Sequence, residues 1–148
     1  MAVRLSTGLA LSMLGNYGLK AMMNYGYIDV FTGDQPESPD IPATGTRVAT
    51  IRTDGNPFVI GSQSGGALQL DQTDTGALRK GGTWVITGVA TGTAGWWRWH
   101  WNAFDNDAFS FYYPRMDGLV GESLLLASTS ITPATLEEIQ AFNVQFRG

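Results

Sequence analysis

The chain lacks cysteine altogether and holds one histidine among its 148 residues. Without a thiol there is no disulfide, no thiolate nucleophile and no cysteine-ligated zinc, and a single imidazole excludes a histidine-pair metal site. Charge is scarce as well: Asp, Glu, Lys and Arg make up 15% of the residues, where about 25% is usual for a soluble domain. The exterior must be covered by something other than charge. The balance is 9 basic against 13 acidic residues, a net of −4, with no basic run, so binding to a phosphate backbone is not expected. Gly, Asn, Asp and Thr interrupt every apolar stretch well before the ~18 residues a membrane helix needs. Arg4 precedes the short run Leu9–Leu14, but no small-residue cleavage site follows, and a signal peptide is not expected. Phosphate-cradling motifs are absent too, since Gly88, Gly92 and Gly95 have the wrong spacing for a dinucleotide fingerprint and no Gly-Lys-Ser/Thr occurs.

What is present reads as one turn-rich domain. Residues 6–26 carry the one helical pattern, with Leu11, Leu14, Gly18, Ala21, Met22 and Tyr25 recurring at three- and four-residue steps. Ser6 or Thr7 caps its start and Gly26 its end, while Gly15 and Gly18 weaken it, so packing must support it. Ahead of it, residues 1–5 form an N-terminal arm with nothing local to hold them. From Gly26 onward the period shortens to two. Strand-like runs are predicted at 27–32, 46–53, 58–60, 67–70, 83–89, 96–102, 109–113, 124–126 and 141–146. Between them lie Gly-, Pro- and Asp-rich turns, above all residues 32–42. These gaps are too short for crossover helices, so the predicted fold is mainly β, an antiparallel, jelly-roll-like β-sandwich with one N-terminal α-helix, spanning 6–148. Residues 132–135 are read as a turn leading into a final strand.

The densest signal is Trp96-Trp97-Arg98-Trp99-His100-Trp101-Asn102. On a strand, Trp97, Trp99 and Trp101 share one face and Trp96, Arg98, His100 and Asn102 the other. The first set is expected in the core beside Phe109, Phe111, Tyr113, Phe142 and Phe146, the second as contact candidates; exposed rings would alternatively suit sugar stacking or a protein partner. His100 has no triad partner at a recognisable spacing and reads as a surface or half-buried residue without a catalytic role. Asp105-Asn106-Asp107 and Asp71-Gln72-Thr73-Asp74 are acidic pairs that lack the calcium-loop pattern and read as turns. No pair of carboxylates is marked for glycosidic chemistry. Catalytic, cofactor-binding and metal-ligating residues are therefore all read as none.

Several segments together resemble a known group. Residues 26–36 with Thr44-Gly45-Thr46 and Ala49-Thr50-Ile51, then Gly95-Trp96-Trp97-Arg98, Met116-Asp117-Gly118, Gly121, Leu124-Leu125-Leu126 and 128–132, are similar to small virion proteins of tailed bacteriophages, the capsid cement or decoration proteins. The resemblance covers most of the chain; the Trp density and the 105–107 loop depart from it. It implies a jelly-roll-like protein on the outer surface of a capsid shell, made in the host cytoplasm, with the major capsid protein as partner; a second copy of itself is expected because closed homo-oligomers are common, and neither nucleic acid nor membrane is expected from the charge balance and the short apolar runs. A low-charge exterior suits a protein that covers much of its surface with neighbours. The expected contacts are Met1, Val3, Arg4 and Leu5 of the arm, Pro36, Pro39 and Ile41 of the Pro-rich loop, and Trp96 and Arg98. Another head or tail component, a carbohydrate-binding sandwich module and an enzyme stay open as other readings.

Overall fold

The computed structural model describes residues 3–145. Two short helices come early, α1 (Thr7–Leu14) and α2 (Leu19–Met23). Strands surround and follow them: β1 (Arg4–Leu5), β2 (Tyr27–Phe31), β3 (Arg47–Thr53), β4 (Gln69–Gln72), β5 (Ala77–Gly81), β6 (Trp84–Gly88), β7 (Gly92–Thr93) and β8 (Trp96–His100). The remainder are β9 (Arg115–Leu119), β10 (Leu124–Leu125), β11 (Ser130–Ile131), β12 (Leu136–Glu138) and β13 (Ala141–Gln145). A seven-stranded sheet runs β1-β9-β8-β2-β3-β6-β12, a four-stranded sheet runs β10-β13-β5-β4, and β11 pairs with β7. Every pairing between these strands is antiparallel. The chain is thus a mainly β, antiparallel sandwich; its strand orders do not by themselves reproduce the paired four-stranded sheets of a jelly roll.

The single predicted helix is two. Ser6 caps α1, its Oγ accepting from the Leu9 N–H at 3.1 Å, but the helix stops at Leu14 and resumes after Gly18. Gly15-Asn16-Tyr17-Gly18 is too poor a helix-forming stretch to bridge the turns. Both halves persist because Leu9, Leu19 and Met23 are buried against the core. The arm also departs from expectation: Arg4 and Leu5 pair with Asp117 and Met116 of β9 and form one edge of the large sheet.

The predicted strands at 58–60 and 109–113 are loops. In the second case Ser110 Oγ accepts from both the Tyr112 and Tyr113 N–H groups at 2.9 and 3.1 Å, folding the backbone into a hydroxyl-capped turn. The turn at 132–135 is present, closed by Thr135 N–H donating to the Thr132 carbonyl at 2.9 Å. The strand after it breaks at Ile139–Gln140, so that β12 borders the large sheet and β13 joins the small one.

Alternation decides what lies between the sheets. Trp97 and Trp99 of β8, Ile28 and Val30 of β2, Ile51 of β3 and Trp84 and Ile86 of β6 face the small sheet and are fully or nearly fully buried. Phe142 of β13 is the hub, within 5.2–5.5 Å of the Trp84, Trp97 and Trp99 rings. Gly118 of β9 is required by this packing, because a Cβ there would overlap the Trp97 indole.

Candidate interaction surface

The other face of the large sheet carries a polar layer. Register aligns Tyr27, Asp29 and Phe31 of β2 with His100, Arg98 and Trp96 of β8, and places Arg115 and Asp117 of β9 beside His100 and Arg98. Two long loops, residues 32–46 and 101–114, lie over this layer. Arg98 is fully buried and makes a two-pronged pair with Asp117, Nε to Oδ1 at 2.8 Å and Nη2 to Oδ2 at 2.9 Å. Its Nη1 donates to the Ile41 carbonyl at 2.9 Å and to Asp107 Oδ1 at 2.8 Å, tying both loops to the sheet. Arg115 repeats the device: it grips Asp105 through Nε and Nη2 at 2.8 and 2.7 Å. It also donates to the Pro39 carbonyl at 3.0 Å and the Ala108 carbonyl at 2.8 Å. Asp107 Oδ2 accepts from the Ala43 N–H at 2.9 Å, and Asp40 accepts from Thr7 N–H and Oγ1, so α1 is fastened to the same assembly.

At Arg98, Asp107 and Asp117 burial and ion pairing act against each other. Burial works against the Arg98 cation, but the hydrogen bonds to Asp117 and Asp107 outweigh it and raise its pKa. Burial likewise opposes ionisation of Asp107, yet hydrogen bonds from His100, Arg98 and the Ala43 N–H hold it well below the usual carboxylate range. At Asp117, which has no exposure, burial prevails over the Arg98 pairing and the pKa is raised. Beside them Arg52 spans Tyr27 and Asp29; burial lowers its pKa against the pull of Asp29, and burial together with Asp29 raises that of the Tyr27 phenol.

His100, Asp105 and Asp107 place ligand-type atoms within 4.8 Å of one another. Both carboxylates, however, are already engaged by guanidinium groups that supply the positive charge a metal would bring. This cluster is an ion-pair network fastening loops.

Several of the contact candidates read from sequence are covered in the fold. Trp96 and Arg98 are wholly buried, since the loops cover the face that alternation assigned to solvent. Pro36 and Pro39 are buried and Ile41 half-buried beneath the same loop. Val3 and Leu5 are half-buried against the core, Arg4 is exposed with its Nη1 on the Pro36 carbonyl at 2.6 Å, and Met1 lies outside the described residues. His100 is buried and stacked on Tyr27 at 4.6 Å, not at the surface. Of the four tryptophans of the run Trp101 alone is partly open, so the strand forms no sugar-stacking platform of coplanar rings.

The exposed aromatics lie elsewhere. Phe104, Phe109, Phe111 and Tyr112 project from the 101–114 loop with 61, 56, 51 and 83% of their surface open. Phe109 and Phe111, expected in the core, instead pack edge to face on each other at 4.8 Å, while Phe146 lies outside the described residues. At about 200 Å² per side chain, the four together present roughly 500 Å² of open aromatic surface along the one loop. Gly8 of α1 abuts the Tyr112 backbone so tightly that a Cβ would overlap it. One turn further along that helix face stands Leu11, 57% exposed. The signal for this loop in the sequence was the interruption of its aromatics by Asp107, Ser110 and Pro114, which strand-forming runs do not tolerate.

No family model matches the chain, and comparison with curated proteins and with solved structures gives no match.

Proposed function

We propose that the protein is a non-catalytic structural component of a tailed-phage virion, a cement or decoration protein that binds the outside of the capsid shell. The observation that carries this reading is the aromatic face of the 101–114 loop. Its rings are open to solvent while its backbone is held by buried guanidinium–carboxylate pairs, which is how a surface pre-organised for a partner is built. Aromatic anchors are the side chains that dominate protein interfaces, and the 15% charge content accords with a chain that covers its exterior with neighbours. The resemblance carried by residues 26–36, 44–46, 49–51, 95–98, 116–118, 121, 124–126 and 128–132 suggests the partner class, the major capsid protein. Stabilisation of the shell is then mass action: a ligand of the assembled lattice stabilises it by RT ln(1 + [L]/Kd) per site. The contact surface proposed is Phe104, Phe109, Phe111, Tyr112 and Leu11, replacing the buried Trp96, Arg98, Pro36 and Pro39.

The test is a mass-spectrometric copy count in purified virions, scaled to the major capsid protein, with wild-type protein and with Phe109→Ser/Tyr112→Ser. Near-stoichiometric copies that fall at least tenfold in the double variant are expected. A dozen copies or fewer would move the protein to the neck or tail, and none would overturn the virion reading.

A further inference from the structure

A cleft of about 340 Å³ opens between α2 with the 24–25 link, the 61–63 loop and the start of the 101–114 loop. No charged side chain lines it. Its walls pair two aromatic rings, Tyr25 and Trp101, with the amides of Asn24, Gln63 and Asn102 and the thioether of Met22. We propose that this cleft binds a neutral sugar residue, independently of the aromatic loop surface and of the virion reading.

Two of the walls are fixed before any ligand arrives. Asn102 is held at both ends of its amide, Oδ1 accepting from the Gly61 N–H at 2.5 Å and Nδ2 donating to the Ser62 carbonyl at 2.6 Å, so it pins the 61–63 loop as one side of the cleft. Tyr25 has φ +67°, a left-handed backbone rarely held by an aromatic residue, and its N–H is anchored on the Leu68 carbonyl at 2.7 Å. Such strain collects where a side chain must be presented in one direction. Trp101 follows directly on β8 and packs partly on the core, with a buried indole N–H that has no acceptor among the described residues. Asn24 uses Oδ1 on the Leu70 N–H at 2.9 Å and retains its amide N–H₂ as a donor, and Gln63 is exposed at the rim.

A lining of two aromatic residues with the amides of Asn24 and Gln63 left to bind, and no cation or anion, suits a neutral ligand that has both C–H faces and hydroxyl edges. A pyranose has both. The lining holds no cation for a phosphate or carboxylate, which disfavours nucleotides and acidic sugars.

The test is titration of ¹⁵N-labelled protein with maltose, cellobiose, lactose and chitobiose, each to about 50 mM, since single-sugar affinities lie near the millimolar end of the scale. Saturating shifts of the Trp101 indole N–H and the Asn24 and Gln63 side-chain amides are expected with at least one sugar. Tyr25→Gly removes the ring where glycine accepts the backbone conformation, and Gln63→Ala alters only the rim; each is expected to weaken binding several-fold while leaving the remaining amide spectrum in place. No saturating shift with any of the four sugars would overturn the proposal. So would shifts unaltered in both variants, or a response to trialanine with none to the sugars.

Discussion

Arg98→Met tests whether the loops owe their position to the buried charge network. The substitution preserves the aliphatic stem and removes a guanidinium that makes four hydrogen bonds, two to Asp117 and one each to Asp107 and the Ile41 carbonyl. The Asp117 side chain has no exposure, so it loses its countercharge in a site that water does not reach. Removing one partner of a buried ion pair costs about 3–5 kcal/mol, because the remaining charge stays desolvated. For a chain of this length each kcal/mol moves the melting temperature by about 2–4 °C, so a fall of roughly 6–20 °C is expected. Thermal and urea unfolding at pH 7 measure it. Limited proteolysis should show faster cleavage within 32–46 and 101–114 before global unfolding. The companion Arg98→Met/Asp117→Leu removes both charges together and should recover much of the loss, since an apolar pair replaces a buried ionic one at little net cost. A loss under about 1 kcal/mol for Arg98→Met, the range of an exposed pair, would refute the reasoning, as would a double variant no more stable than the single one.

Two further perturbations follow from the same layer and from the core. Asp107 has a depressed pKa in the folded chain, so its contribution is complete above the unfolded carboxylate value near 3.9 and is lost as pH falls below it. Asp107→Asn should flatten the decline of stability measured by urea unfolding between about pH 4 and 2; an unchanged slope would remove Asp107 as its source. Gly118→Ala should destabilise the fold by about 1–3 kcal/mol or more, because the Trp97 ring it strikes is fully buried and has no space to withdraw. A melting temperature equal to wild type would show that the two sheets separate more easily than their packing implies.

Period-two alternation located the core-facing strands well, because burial on one face leaves a readable trace. Thus β2, β3, β6, β8 and β13 were legible, as were the Ser6 cap and the 132–135 turn. Strand β9 was not. Its Arg-Met-Asp-Gly-Leu sequence reads as a turn, since Asp and Gly are poor strand formers, yet both are required where they stand. Asp117 is there for Arg98 and Gly118 for the Trp97 ring, and each reason lies 19 or more residues away. The same limit hid the site. Alternation correctly put Trp96, Arg98 and His100 on the face opposite Trp97 and Trp99, but it carries no information about loops that return to cover that face.

The covering loops also explain how a chain with so few charges spends several of them in its interior. Buried pairs are weak sources of net stability, and an apolar layer over the second face of the sheet would serve compaction equally well. What Arg98 and Arg115 add is direction. A guanidinium presents a planar fork of donors: from its place on β8 the Arg98 fork reaches Asp117 of the sheet and Asp107 and Ile41 of the two loops, and from β9 the Arg115 fork reaches Asp105 and Ala108 of one loop and Pro39 of the other. Apolar packing tolerates sliding, whereas these bonds hold to one register. The loop that leaves this clamp carries Phe104, Phe109, Phe111 and Tyr112 outward. Rings displayed on a backbone that is already ordered lose less entropy when a partner closes over them, so under the capsid contact proposed above the clamp contributes to binding as well as to folding. If the proposed capsid contact is made by these rings, the Arg98→Met/Asp117→Leu protein recovers much of its stability and still shows a lower copy number per virion than wild type.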